Sequence, residues 1–158
     1  MANSKDDVKR LREETGAGVM DCKRALDEAK GDFAKAKTLI KERGLAKAKE
    51  KADREAKEGV VEAYVHAGGR IGAIVELSSE TDFVARNPNF RELAKEVAMQ
   101  VAAMDPKDLA ELLEQAYIRD ASKTIGELVT AVAATTGENV RVKRFKRFEL
   151  GQSNGEPT

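Results

Sequence analysis

The spacing of apolar residues changes near Gly59, and this change constrains the fold more than any other feature of the chain. Before it, apolar side chains recur three or four positions apart, as in amphipathic helices. After it, residues 60–77 form two runs rich in β-branched residues around a turn at Gly68-Gly69, which is typical of a β-hairpin. The chain is therefore neither all-helical nor all-β.

Three short helices are predicted within residues 1–44. Ser4 and Asp32 are suitable N-cap residues, and Gly44 follows the last apolar stripe of this region. Three helices in so short a segment form a minimal bundle. Residues 45–57 are good helix formers without an apolar stripe beyond alanine, so we interpret them as a solvated helical linker.

Residues 58–150 predict an α+β core. After the hairpin, apolar periodicity indicates helices over residues 89–104, 109–118 and 125–136, followed by a last strand over 139–150. The prediction is a three-stranded antiparallel sheet with helices on one face. In the last strand, Phe145 has the opposite parity to Val142 and Phe148, so we expect Phe145 on the uncovered face. Residues 151–158 are expected to be a flexible polar tail.

Composition excludes several classes of protein. The 28 basic and 28 acidic side chains cancel, so no global field attracts nucleic acid, although residues 1–57 are net basic and the remainder net acidic. No apolar stretch approaches the roughly 20 residues that a membrane-spanning helix needs, and the acidic N-terminus is unlike a signal peptide. We expect a cytoplasmic bacterial protein. Cys22 and His66 have no partner at a suitable spacing, so we expect no metal, cofactor or catalytic nucleophile, and interpret both as packing or surface residues.

Two short segments are candidates for binding a protein partner. Val19 and Met20 follow a glycine-rich turn, and they either pack between helices or form an apolar patch on a rigid base. Asp82 and Phe83 lie between a strand and a helix, where neither residue type is needed for a helix cap. Either Phe83 is a core residue and Asp82 caps a turn, or Phe83 is a wedge for an apolar cleft and Asp82 meets donors on the partner.

The last strand carries basic residues beside two phenylalanines. This pattern is compatible with single-stranded RNA binding, but it also protects an exposed sheet edge against aggregation. The basic residues are Arg141, Lys143, Arg144, Lys146 and Arg147. The acidic balance of the C-terminal part favours edge protection.

Three segments together resemble one known family. They are residues 8–26, which include Thr15-Gly16-Ala17-Gly18-Val19-Met20-Asp21, residues 80–87, which read Glu-Thr-Asp-Phe-Val-Ala-Arg-Asn, and residues 137–140, which read Gly-Glu-Asn-Val. In this order they resemble the bacterial family of translation elongation factor Ts, over about residues 8–151. The resemblance implies a non-enzymatic exchange factor that promotes GDP release from elongation factor Tu.

The resemblance also implies roles for particular residues. The N-terminal module, similar to ubiquitin-associated domains, would grip the GTPase domain of elongation factor Tu through Leu11, Arg12, Val19 and Met20. The segment Thr81, Asp82, Phe83 and Val84 would displace the partner's Mg²⁺, with Phe83 wedged between helices of the GTPase. Val19 departs from the methionine more usual in the family, which predicts a smaller contact.

Only 34 residues separate Met104 from Asn139, whereas long members of this family insert a second core half there. The resemblance therefore implies a homodimer that rebuilds a two-half core. Two alternatives remain open, namely an RNA- or ribosome-associated module that uses the basic last strand and a homodimeric scaffold protein. No direct contact with nucleic acid is expected on the favoured interpretation.

Overall fold

The structure, a computed structural model, describes residues 4–152. Its elements, in chain order, are α1 (Lys5–Thr15), α2 (Val19–Glu28), α3 (Phe33–Glu50), β1 (Glu58–Val65), β2 (Ile71–Ser79), α4 (Asp82–Ala85), α5 (Pro88–Met104), α6 (Leu109–Glu114), β3 (Ala116–Tyr117), β4 (Asp120–Thr124), α7 (Ile125–Thr136) and β5 (Arg141–Glu149). They confirm the α+β class. Among the described residues, no helix is both long and apolar enough to cross a bilayer. Most of the predicted tail, residues 153–158, lies outside this range.

The first three helices pack around their own small core. Ser4 accepts a hydrogen bond from the Asp7 amide at 3.0 Å, and Asp32 caps α3 by accepting one from the Lys35 amide, also at 3.0 Å. The buried apolar side chains of this N-terminal cluster are Leu11, Cys22, Ala25, Leu26, Ala29 and Ala36. Cys22 is completely buried in this cluster and is therefore a packing residue, and its burial raises the pKa of the thiol.

The third helix does not end at Gly44 as its sequence predicts. It continues to Glu50, and Gly44 lies within it, packed against α7. A Cβ added at Gly44 would be 3.0 Å from the Ala134 Cβ, so a larger residue would crowd this contact. Gly44 therefore permits close helix packing and does not terminate the helix. Ala48 is buried in the larger core and Ala56 is also buried, so residues 45–57 are not fully solvated.

The larger core lies between a three-stranded antiparallel sheet, ordered β1-β2-β5, and the helices on one of its faces. Val60 pairs with Leu77, and Val75 pairs with Phe145. Leu77 and Val75 are almost completely buried, as is Phe90 on α5, because these side chains face each other across the interface between sheet and helix.

Phe145 is not on the uncovered face of the sheet, contrary to the parity argument. The β2–β5 register shifts between Glu76 and Leu77, so Val142 and Phe145 both pack against the larger core. A β-bulge reverses the alternation in this way. Phe148, and not Phe145, is the exposed phenylalanine of β5. It pairs with Gly72 of β2, which in turn pairs with Val65 of β1.

The segment before α7 forms a short hairpin, although its pattern predicts helix through Ile118. Helix α6 ends at Glu114, and β3 then pairs with β4. The fully buried Gln100 of α5 donates to the Ala116 carbonyl at 3.0 Å and accepts from the Ile118 amide at 3.0 Å. These long-range hydrogen bonds stabilise the extended backbone and override local helix propensity.

The buried phenol of Tyr117 leads us to expect that the free energy of unfolding falls at high pH. Burial, together with a hydrogen bond to Glu96, raises its pKa to about 12 from a usual value of 10.0. The neutral phenol contributes its full stabilisation below pH 10, and that contribution is lost as the pH rises through 12. We expect Tyr117→Phe to reduce the fall in the free energy of unfolding between pH 10 and 12, measured by urea unfolding. Tyr64→Phe is the matched control, and it should keep the pH dependence of the wild type. The same fall in the free energy of unfolding in Tyr117→Phe and in the wild type would contradict the prediction.

Candidate protein-binding site

Phe83 is the most exposed large apolar side chain among the described residues, at 81% of its surface. It lies on α4, a single helical turn between β2 and α5. The next two residues, Val84 and Ala85, are each only 5% exposed and belong to the larger core. The turn is therefore anchored on one side, and it presents Phe83 to solvent on the other.

The first residues of this turn are fixed by local hydrogen bonds. The Thr81 hydroxyl caps α4 by accepting a hydrogen bond from the Val84 amide at 3.3 Å. Asp82 is exposed and forms an ion pair with Arg86, one turn further on. An aromatic face and a carboxylate thus lie side by side on a short rigid element, an arrangement suited to a cleft flanked by hydrogen-bond donors.

A second set of hydrogen bonds comes from the turn between α7 and β5. One oxygen of the Glu138 carboxylate accepts from the amides of Glu80 and Thr81, at 3.1 and 2.9 Å, and the other accepts from the Thr81 hydroxyl at 2.7 Å. Sequence reasoning gave Glu138 no role, although the Gly137-Glu138-Asn139 motif was a signal that could have identified it.

The N-terminal cluster presents the other predicted patch. Val19 and Met20 are 48% and 64% exposed in the first turn of α2, after Gly16 has closed α1 with a positive φ of 70°. Arg12 is also exposed. Leu11, however, is completely buried in the N-terminal cluster, so its side chain is not part of the exposed patch.

The two patches lie on different elements and over different cores. The turn that carries Phe83 is attached to the larger core through Val84 and Ala85, whereas Val19 and Met20 lie on α2, which contributes Cys22 to the N-terminal cluster. Helix α3 runs between these two cores, since Ala36 belongs to one and Ala48 to the other. The two candidate patches are therefore on separate parts of the structure.

The basic last strand is partly used within the chain. The Arg147 guanidinium donates to the Ala102 carbonyl at 3.0 Å and pairs with Glu149, and Arg144 pairs with Glu76. Strand β5 is at the edge of the sheet, as edge protection requires. Because these arginines are already paired within the chain, fewer basic side chains of β5 are available to bind RNA phosphates than its composition indicates. Residues 4–152 also contain no group of three or more His, Cys, Asp or Glu side chains able to hold a metal ion.

Comparison with known proteins identifies the family. The profile described as "Elongation factor TS" matches residues 80–156, which include Phe83 and Glu138. Elongation factor Ts of Caldanaerobacter subterraneus subsp. tengcongensis is 43% identical over 92% of this chain and 95% of its own length. The chain belongs to the elongation factor Ts family. Elongation factor Ts of Thermotoga neapolitana is 42% identical over 96% of this chain and 99% of its own.

Membership of the elongation factor Ts family places the chain in translation elongation. The alignment with the Caldanaerobacter protein runs over 190 positions, although this chain has only 158 residues. At least 32 positions of the alignment therefore hold a residue of the relative opposite a gap in this chain. The present chain is a shortened member of the family that retains both candidate patches.

Proposed function

We propose that this chain promotes the release of GDP from elongation factor Tu. The observation that carries the proposal is the exposure of Phe83 on an anchored turn, within the segment matched by the family profile. A large exposed aromatic side chain on a rigid base is suited to enter a cleft in a partner protein. Val19 and Met20 supply a second apolar contact, and they would grip the GTPase domain.

Exchange requires differential binding and no covalent step. If the chain binds nucleotide-free elongation factor Tu more tightly than its GDP form, thermodynamic linkage weakens GDP binding by the same factor. A thousandfold weakening corresponds to about 4 kcal/mol of differential contact energy. Displacement of Mg²⁺ by the Phe83 turn would supply part of it, because the cation neutralises the phosphates of the nucleotide. The chain is thus an exchange factor and not an enzyme, and it would act in the cytoplasm.

The direct test is the release of labelled GDP from elongation factor Tu with and without the full chain. We expect the release rate to rise with the concentration of the chain and to reach a plateau. The RNA-binding alternative predicts steeply salt-dependent binding to RNA and no effect on GDP release. An unchanged release rate at all concentrations would refute the proposed function.

We further propose that the chain forms a homodimer through the uncovered face of its sheet. Among residues 4–152, helices cover one face of the sheet, and the other face exposes apolar side chains that are each at least 43% exposed, namely Val61, Val65, Ile74, Phe148 and Leu150. Exposed apolar patches of this kind mark interaction surfaces. A second copy would bury them with two-fold symmetry, which is the commonest arrangement for identical chains.

The homodimer proposal predicts a strong effect of Phe148→Asp. A carboxylate in place of this exposed aromatic side chain would be desolvated on association, so we expect the variant to be mainly monomeric at micromolar concentration. Sedimentation equilibrium measures the mass. Phe83→Asp introduces the same charge at an exposed phenylalanine away from the sheet, and it should leave the dimer intact. A monomeric wild-type chain would contradict the homodimer.

A further inference from the structure

The turn between α7 and β5 makes contacts that the proposed function does not use. Gly137 ends α7 with a positive φ of 75°, which turns the chain so that Glu138 faces the segment before α4. Glu138 and Thr81 are 57 positions apart in the sequence, yet the carboxylate of Glu138 accepts three hydrogen bonds from Glu80 and Thr81. Strand β2 ends at Ser79, so this carboxylate accepts hydrogen bonds from the first two backbone amides after the strand.

The contact is reciprocal. The Glu80 carboxylate accepts from the Asn139 amide at 2.8 Å, so each segment places a glutamate on the backbone of the other. The Asn139 side chain is 4% exposed and donates to the Arg54 carbonyl at 2.6 Å. The Ser79 hydroxyl, which is fully buried, donates to the Thr81 carbonyl at 2.8 Å. Hydrogen bonds thus hold Thr81 at its amide, its carbonyl and its hydroxyl.

Thr81 passes this constraint to the turn that carries Phe83. Its hydroxyl donates to Glu138 and accepts from the Val84 amide, while its carbonyl accepts from the Ala85 amide at 3.3 Å. Phe83 itself is 81% exposed, so its direction depends on the backbone of this turn. Val84 and Ala85 fix the end of the turn in the core, and Glu138 fixes its beginning.

We propose that Glu138 is a positioning residue for nucleotide exchange, because it fixes the start of α4 and thereby the direction of Phe83. The inference rests on the proposed exchange function and adds a residue to it. Prior ordering of a contact residue lowers the entropy lost on binding, and a displacement of about 1 Å at a reacting site is enough for a loss of up to roughly a hundredfold in rate. The charge of Glu138 acts on the chain's own backbone, so this residue needs no contact with the partner.

The test compares three variants of the full chain. Glu138→Ala removes all three hydrogen bonds. Glu138→Gln can retain an oxygen acceptor for the two backbone amides. Glu127→Ala is the matched control, because Glu127 accepts a hydrogen bond from the Thr124 amide at 3.2 Å, in the capping box at the opposite end of α7 from Glu138.

The first measurement is GDP release from elongation factor Tu as a function of the concentration of each variant, at a temperature where all are folded. We expect Glu138→Ala to lower the plateau rate about tenfold while the half-saturating concentration changes less than about threefold, since Val19 and Met20 still bind. Glu138→Gln should recover most of the plateau rate, and Glu127→Ala should match the wild type. A purely stabilising role predicts equal losses in Glu138→Ala and Glu127→Ala, and that outcome would overturn the proposal.

The second measurement needs no partner. Amide hydrogen exchange at Val84 and Ala85 reports opening of α4, and we expect it to be about tenfold faster in Glu138→Ala than in the wild type or in Glu127→Ala. Unchanged exchange at these amides would overturn the positioning role, whatever happens to GDP release. If the wild-type chain fails to release GDP, the proposed function fails, and the amide measurement still decides whether Glu138 orders the Phe83 turn.

Discussion

Phe83→Ala is expected to lower the plateau rate of GDP release from elongation factor Tu by about a hundredfold, which corresponds to roughly 2.7 kcal/mol of lost contact energy. The side chain is 81% exposed, so its removal takes away a surface available to a partner while leaving the core intact. For the same reason, the free energy of unfolding should change by less than about 0.5 kcal/mol. Both quantities are measured on the full chain, by labelled-GDP release and by urea unfolding.

The control for this prediction is Ile118→Ala, which also truncates an exposed apolar side chain, in the turn between β3 and β4 and away from both patches. It should exchange nucleotide at the wild-type rate. Equal rates for Phe83→Ala and the wild type would show that Phe83 is not a wedge. A much lower unfolding midpoint for Phe83→Ala would instead indicate that this side chain contributes to folding.

The double substitution Val19→Asp and Met20→Asp should raise the half-saturating concentration of the chain about a hundredfold. Two carboxylates would replace the apolar patch at the start of α2, and they would have to be desolvated against the GTPase domain. The plateau rate should change much less, because on the proposed function the Phe83 turn would act after the complex has formed. Titration of the GDP release rate with the variant separates the two quantities.

Met104→Asp is the matched control for this second prediction. Met104 is 49% exposed at the end of α5, so the substitution adds the same charge as Met20→Asp at an exposed methionine outside the patch. Its half-saturating concentration should stay within about threefold of the wild type. A double variant with the affinity of the wild type would exclude Val19 and Met20 from the interface.

Local patterns predicted much of this fold. The hairpin of β1 and β2 and the helices α5 and α7 lie where their apolar periods and turn glycines indicate, because the interactions that specify them are close in sequence. Gly44 misled the prediction, since its close contact with Ala134 is a tertiary contact. The β3–β4 hairpin was missed for the same reason, as Gln100 stabilises it from a distant helix.

The candidate site was predicted in part. Sequence alone left Phe83 as either a core residue or an exposed wedge, and only its surroundings distinguish these, because Val84 and Ala85 occupy the core in its place. Leu11 was assigned to the contact surface, although its helical position buries it. The bulge that turns Phe145 inward has no local signal, since it depends on the register with β2.

The unbroken course of α3 has a consequence for avidity. A flexible linker would let the N-terminal patch and the Phe83 turn sample many separations, and the second contact would form at an effective concentration set by linker length. Helix α3 is continuous and packs against α7 at Gly44. A helix of this kind is a semi-rigid spacer, so it limits the distance and the relative orientation of the two patches. If both patches contact elongation factor Tu as proposed, binding of one patch would leave the other already at a fixed distance and orientation. The two contacts would then strengthen each other without further loss of chain entropy.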